Sequence, residues 1–128
     1  MDAEKFVFPF EKLDAYHLAV DLADTVFDLL DRLSPSKHLR MIGQMEASVS
    51  SIAQNIAEGK GRQYKKEFVQ FLYIAEGSLF EVLALCELFQ RRKLFSDVES
   101  TRIRSMAENL DRKLRGLINS LRGQQCVP

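Results

Sequence analysis

Tryptophan is absent from this 128-residue chain, and cysteine and proline occur only twice and three times. Without an indole, aromatic burial falls mainly to the nine Phe, and no ring of that kind marks a polar-tipped pocket. The cysteines form neither a CxxC pair nor a Cys/His cluster, which excludes a legible zinc or redox motif. Cys86 sits in an apolar helical run and reads as a small buried hydrophobe, whereas Cys126 reads as an incidental exposed thiol in the terminal tail. Glycine is also sparse: Gly59 and Gly61 are too few to cradle a phosphate chain, and no Walker-type or dinucleotide-binding pattern occurs. No stretch reaches the ~18 uninterrupted apolar residues of a membrane span. The N-terminus carries two acids where a secretory signal would carry bases, so the expected location is cytoplasmic.

An excess of either charge is lacking too. The net charge is zero, yet residues 1–59 hold 5 basic against 10 acidic side chains, and residues 60–128 hold 13 against 8. A basic second half permits an acidic partner or nucleic acid, but opposite charges on neighbouring helices also simply pair.

What is present is helical periodicity. Leu13, Tyr16, Val20, Ala23, Phe27 and Leu30 recur by threes and fours, with Asp14, Asp21, Asp24, Asp28 and Asp31 between them. Pro35 ends that helix, and a neighbouring serine is a ready N-cap for the next. Ile42, Met45, Val49, Ile52 and Ile56 form the second stripe, flanked by Ala47, Ser48, Ser50, Ser51, Ala53 and Ala57. Those small side chains predict close approach of a neighbour and make helix two the most enclosed of the four. The Gly59–Arg62 break suits a left-handed C-cap at Gly59.

The third segment, from Tyr64 to about Phe89, has too many apolar positions for one stripe. A second apolar face on a corner helix points to self-association, with Phe71, Ile74, Leu83 and Leu85 as the candidate interface. Arg91, Arg92 and Lys93 place positive charge at the negative dipole end of that helix. Ser96-Asp97-Val98-Glu99 matches a capping box and starts a fourth helix with Ile103, Met106, Leu110, Leu114, Leu117 and Leu121 inward. No strand pattern is visible. The expectation is one all-α domain over 1–128, an antiparallel up-down-up-down four-helix bundle with helices at about 12–33, 36–58, 64–92 and 97–122.

Chemistry is scarcer. Asp14 and His17 lie one turn apart, a spacing that helical bundles use for metals, but His38 has no acid three residues before it, so no second pair exists. No metal, no cofactor and no enzymatic activity are expected. The basic residues Lys60, Arg62, Lys65 and Lys66 cluster near one turn, and Arg102, Arg104, Arg112, Lys113 and Arg115 lie along helix four. Either set could neutralise phosphates without reading bases, and either could be a solvated face.

The runs Asn55-Ile-Ala-Glu58-Gly59-Lys-Gly61-Arg62, Lys66-Glu67-Phe68 and Phe71–Leu79 carry a resemblance, which extends from Phe10–Leu13 to Leu117–Leu121. Together they resemble the bacterial four-helix-bundle proteins encoded in intervening sequences of large-subunit ribosomal RNA genes. The chain departs from that pattern at Ala53-Gln54, where the family commonly has Pro-Ser, and at Tyr64, where it often has Ser. These changes predict a straighter helix two and a helix three without a side-chain N-cap. The resemblance implies a homo-pentamer without enzyme activity. It also implies a relation to the accessory variability protein of diversity-generating retroelements, which binds nucleic acid and a reverse transcriptase. Asn55, Glu58, Gly59, Gly61, Arg62 and Glu67 are the matched polar and glycine positions. The leading expectation is thus a homo-oligomeric bundle with weak, sequence-independent RNA or DNA binding. The alternative is a scaffold that meets a protein partner through helix three.

Overall fold

The structure is a computed structural model that describes residues 4–123. A 3-10 turn at Pro9–Lys12 leads into α1 (Asp14–Leu30), α2 (Pro35–Lys60), α3 (Lys65–Arg91) and α4 (Asp97–Gly123), and the described residues contain no strand. Connections of a few residues cannot cross the bundle, so successive helices run antiparallel. Each helix packs on two neighbours, α1 and α3 on α2 and α4, leaving α1 opposite α3 and α2 opposite α4. All four feed a single core. Cys126 lies outside the described residues.

The burial stripe of α1 is Ala15, Ala19, Leu22, Val26 and Leu30, one position away from the expected register. Val20 is exposed, and Leu13, Tyr16, Ala23 and Phe27 only flank the core. Both stripes are apolar, and α1 turned the smaller Ala15 and Ala19 inward where α2 and α4 approach. In α2 the stripe is as expected from Met45 to Ile56. In α4 the centre falls on Ile103, Ala107, Leu110, Leu114 and Ile118, with Met106, Leu117 and Leu121 beside it.

Small residues do bring α2 close to a neighbour, and the α2–α3 interface is the most extensive of the bundle. Enclosure, however, belongs to α3, which buries Phe68, Leu72, Ala75, Glu76, Leu79, Val82, Leu85, Cys86 and Phe89. A slim helix lends its partner cover without gaining as much itself. The helix is undisturbed at Ala53-Gln54, and its one non-helical residue is His38, near the start. Ser34 occupies the N-cap of α2, but its hydroxyl meets Ser36 Oγ at 3.0 Å instead of capping the helix.

Gly59 does not adopt a left-handed conformation: no described glycine has positive φ, and α2 continues through it to Lys60. A side chain is what that position excludes. A Cβ built there would lie 2.5 Å from Phe71 Cβ and 3.1 Å from Phe68 Cδ1, so glycine permits α3 to approach. The left-handed residue is Lys93, with φ 63. It sits at C′ of a Schellman motif closed by Leu94 N–H to Phe89 O (2.8 Å) and Lys93 N–H to Gln90 O (3.0 Å). The capping box at α4 is formed as expected, with Glu99 N–H to Ser96 Oγ at 3.1 Å and Ser96 N–H to Glu99 Oε1 at 2.9 Å.

Candidate nucleic-acid interface and assembly face

The matched polar positions gather around the α2–α3 contact. Asn55 Nδ2 donates to Ser51 O at 2.8 Å and to Ser51 Oγ at 2.9 Å, and Ser51 Oγ meets Ser78 Oγ of α3 at 2.9 Å. This half-buried chain ties the two helices a few turns from Gly59. Glu58 pairs with Arg62 at 3.6 Å, and the Arg62 guanidinium lies over the Phe71 ring at 4.7 Å from its centroid. Lys60 Nζ lies 5.6 Å from the Phe68 centroid. The two aromatic rings that crowd Gly59 therefore also carry the turn's cations. Tyr64 is the N-cap of α3 and provides no side-chain cap, and Glu67 occupies the first helical turn, where the dipole favours an acid.

Lys60, Arg62, Lys65 and Lys66 are all exposed. They surround one tight turn, so the structure brings this cluster together at one end of the bundle. The helix-four set is dispersed by comparison. Lys113 pairs with Asp14 at 3.5 Å, Arg115 with Glu76 at 3.0 Å, and Arg112 with Asn109 Oδ1 at 3.2 Å. Arg112 and Lys113 rim an open groove of about 810 Å³ between α1 and α4, floored by Leu13, Ala15, Leu18 and Leu117. The Asp14–Lys113 pair joins the acidic and basic halves of the chain. Asp14 thus reaches across to α4, while His17 Nε2 bonds Glu11 O at 2.6 Å. Among the described residues no cluster of His, Cys, Asp and Glu is suited to a metal ion.

The candidate assembly residues divide. Leu85 is 5% exposed and belongs to the core, which corrects its assignment to an interface. Phe71 and Leu83 are half-buried, Phe71 under Arg62. Ile74 is about half exposed, and Phe80 and Leu88 join it on the outer side of α3, beside exposed Gly77 and Ala84. By length and mean hydropathy, 1.5 in its most apolar window, α3 would suffice to cross a membrane. Here its inner side is a wall of the bundle, packed on α2 and α4.

Sequence reasoning missed one buried charge. Glu76 is 4% exposed on the α4-facing side of α3, with Arg115 Nε 3.0 Å from Oε2 and the Asp111 carboxyl as a neighbouring charge. Burial, then the Asp111 carboxyl, push Glu76 above the ordinary glutamate range, and Arg115 pulls the other way. Its place four residues after Leu72 and three before Leu79 is a core position, and that spacing was the available signal. Burial also raises the Cys86 thiol, which makes it a poor nucleophile.

Known proteins agree with this architecture. A crystal structure of a protein of unknown function from the S23 ribosomal protein family of Bacteroides thetaiotaomicron VPI-5482 superposes with TM-score 0.76 at 23% identity, covering 81% of this chain and 97% of the other. At that identity the likeness speaks to the fold alone. No curated protein matches the chain. The family model described as 23S rRNA-intervening sequence protein matches residues 11–116, a span that takes in the α2–α3 turn, all of the first three helices and most of the fourth. The chain therefore belongs to the 23S rRNA-intervening sequence protein family.

Proposed function

We propose that this chain is a non-enzymatic, self-assembling bundle that joins copies through the outer face of α3 and holds RNA or DNA backbones at the α2–α3 turn without reading sequence. The observation that carries the proposal is the apolar outer face of α3. Ile74, Phe80 and Leu88 stand about half exposed on a helix whose other side already fills the core. A second copy would remove that face from water. Each added copy repeats the exposed Lys60, Arg62, Lys65 and Lys66, and a ring of such turns would hold phosphates by counterion release. Five copies is the number that the sequence resemblance supports, as it supports a nucleic-acid partner.

Light scattering at micromolar concentration tests assembly first. The expected result is a mass several times 14.7 kDa, reduced to the monomer in Ile74→Glu/Leu88→Glu with helicity retained. A monomeric parent overturns the reading. Binding to RNA should fall steeply between low and physiological salt, and Arg62→Glu/Lys66→Glu should weaken it for all sequences alike. Binding unchanged in that variant moves the site to Arg112, Lys113 and Arg115. No binding by an assembled parent even at low salt leaves a scaffold for a protein partner.

A further inference from the structure

The N-terminal segment presents aromatic rings to solvent just before the Pro9–Lys12 turn. Phe6 is 70% exposed and Phe8 53%. Their centroids lie 4.9 Å apart, and Phe8 is stacked on Phe10 with an interplanar angle of 14° at 6.1 Å. The row continues inward to Tyr16, 4.8 Å from Phe10. Glu11 holds the backbone in place: its Oε1 accepts the Phe8 N–H at 2.9 Å, and its carbonyl meets the His17 ring at 2.6 Å. Apolar side chains scattered over a surface are ordinary, but adjoining exposed rings make a contiguous patch of the kind that marks an interaction site.

Topology sets this row at the end of the bundle that carries the basic turn. Successive helices are antiparallel, so the start of α1 and the end of α2 share one end of the bundle. The Pro9–Lys12 turn packs against α2 as well as α1. Asp14 pairs with Lys113, and α4 runs on past that point to Gly123, so the longer helices overhang α1 on the side where the aromatic segment lies. The same end carries Lys60, Arg62, Lys65 and Lys66. Cations for phosphates beside exposed rings for bases are the two ingredients of single-strand recognition, because every base offers a face to stack whereas a duplex hides its faces.

We infer that Phe6 and Phe8 form a base-stacking platform, which with the α2–α3 turn makes this end of the bundle a site for single-stranded nucleic acid. The inference rests on the nucleic-acid reading proposed above and narrows it from any phosphate backbone to unpaired strands. The platform supplies strand-state preference, and the basic turn supplies salt-dependent affinity.

The test is a fluorescence titration at low salt with a short RNA carrying 2-aminopurine, single-stranded and as its duplex, against the parent and Phe6→Leu/Phe8→Leu. Leucine keeps the segment apolar but removes the stacking face. The parent should bind the single strand at least about five-fold more tightly than the duplex and quench the base analogue. The variant should lose both the preference and the quench, while keeping its duplex affinity and assembled mass. Equal parental affinity for the two forms, or a variant that still prefers and quenches the single strand, overturns the platform yet leaves salt-dependent binding at the turn standing. A fall in assembled mass in the variant also overturns it, because the rings would then be a contact between copies. No binding of either RNA by the parent removes the nucleic-acid reading itself.

Discussion

At the scale of residues, Gly59 and Lys93 have exchanged the roles that residue type alone suggests. Glycine is needed in α2 because Phe71 Cβ occupies the space a Cβ would take, 2.5 Å away. Replacing a mid-helix glycine by alanine ordinarily stabilises by about 0.5–1 kcal/mol, whereas overpacking costs about 1–3 kcal/mol. Gly59→Ala should therefore lower the urea midpoint. Gly43→Ala, in the same helix with nothing within 4 Å of the new Cβ, should raise it. If both variants shift in the same direction, the close approach of α3 does not control Gly59. Lys93 holds a left-handed conformation that costs an L-residue roughly 1 kcal/mol or more. Lys93→Gly should stabilise the protein by up to about 1 kcal/mol after allowing for the added freedom of the unfolded chain, and thermal melting at matched ionic strength measures it.

At the scale of elements, the helices are decided by different means. The start of α4 is local: Ser96 and Glu99 satisfy each other's amide groups within one turn, and Arg32 adds a 2.7 Å ion pair to Glu99. Ser96→Ala should cost about 1 kcal/mol, visible in chemical denaturation as a lower midpoint with unchanged slope. The start of α3 has no such device, since Tyr64 caps nothing with its side chain. That helix depends on packing, with nine buried residues facing α2 and α4. Its outer side leaves Ile74, Phe80 and Leu88 about half exposed, the side through which copies are proposed to join.

At the scale of the whole molecule, two glutamates give stability opposite slopes against pH. Ser96 N–H, together with Arg32, holds Glu99 below the ordinary value of about 4.3. Its contribution is fully present above that value and is lost as pH falls through the folded pKa. Glu76 is raised, so the folded state retains a proton that the unfolded state releases, and stability declines as pH rises from about 4.3 to the folded pKa. Glu76→Gln keeps shape and hydrogen-bonding capacity without the charge. It should leave stability nearly unchanged at low pH and raise it at neutral pH, as measured by denaturation across that range. A variant less stable than the parent at neutral pH would show that the Arg115 pair outweighs burial.

Sequence by itself determined the class, the number and approximate ends of the helices, and the capping box, because these depend on spacing along one chain and on bonds within one turn. It also placed the break between α2 and α3 and its cations to within a residue or two, since contiguous residues stay together in any fold. Tertiary structure decided what depends on a neighbour. It chose between two apolar stripes on α1, because only packing shows which side α2 and α4 cover. It sent Leu85 inward and left Ile74 out, since a helix apolar on several faces does not declare which is inside. It gave Gly59 its reason through Phe71, a contact between residues on different helices. It brought the exposed Phe6 and Phe8 to the end of the bundle that carries the basic turn, because antiparallel packing sets the start of α1 beside the end of α2.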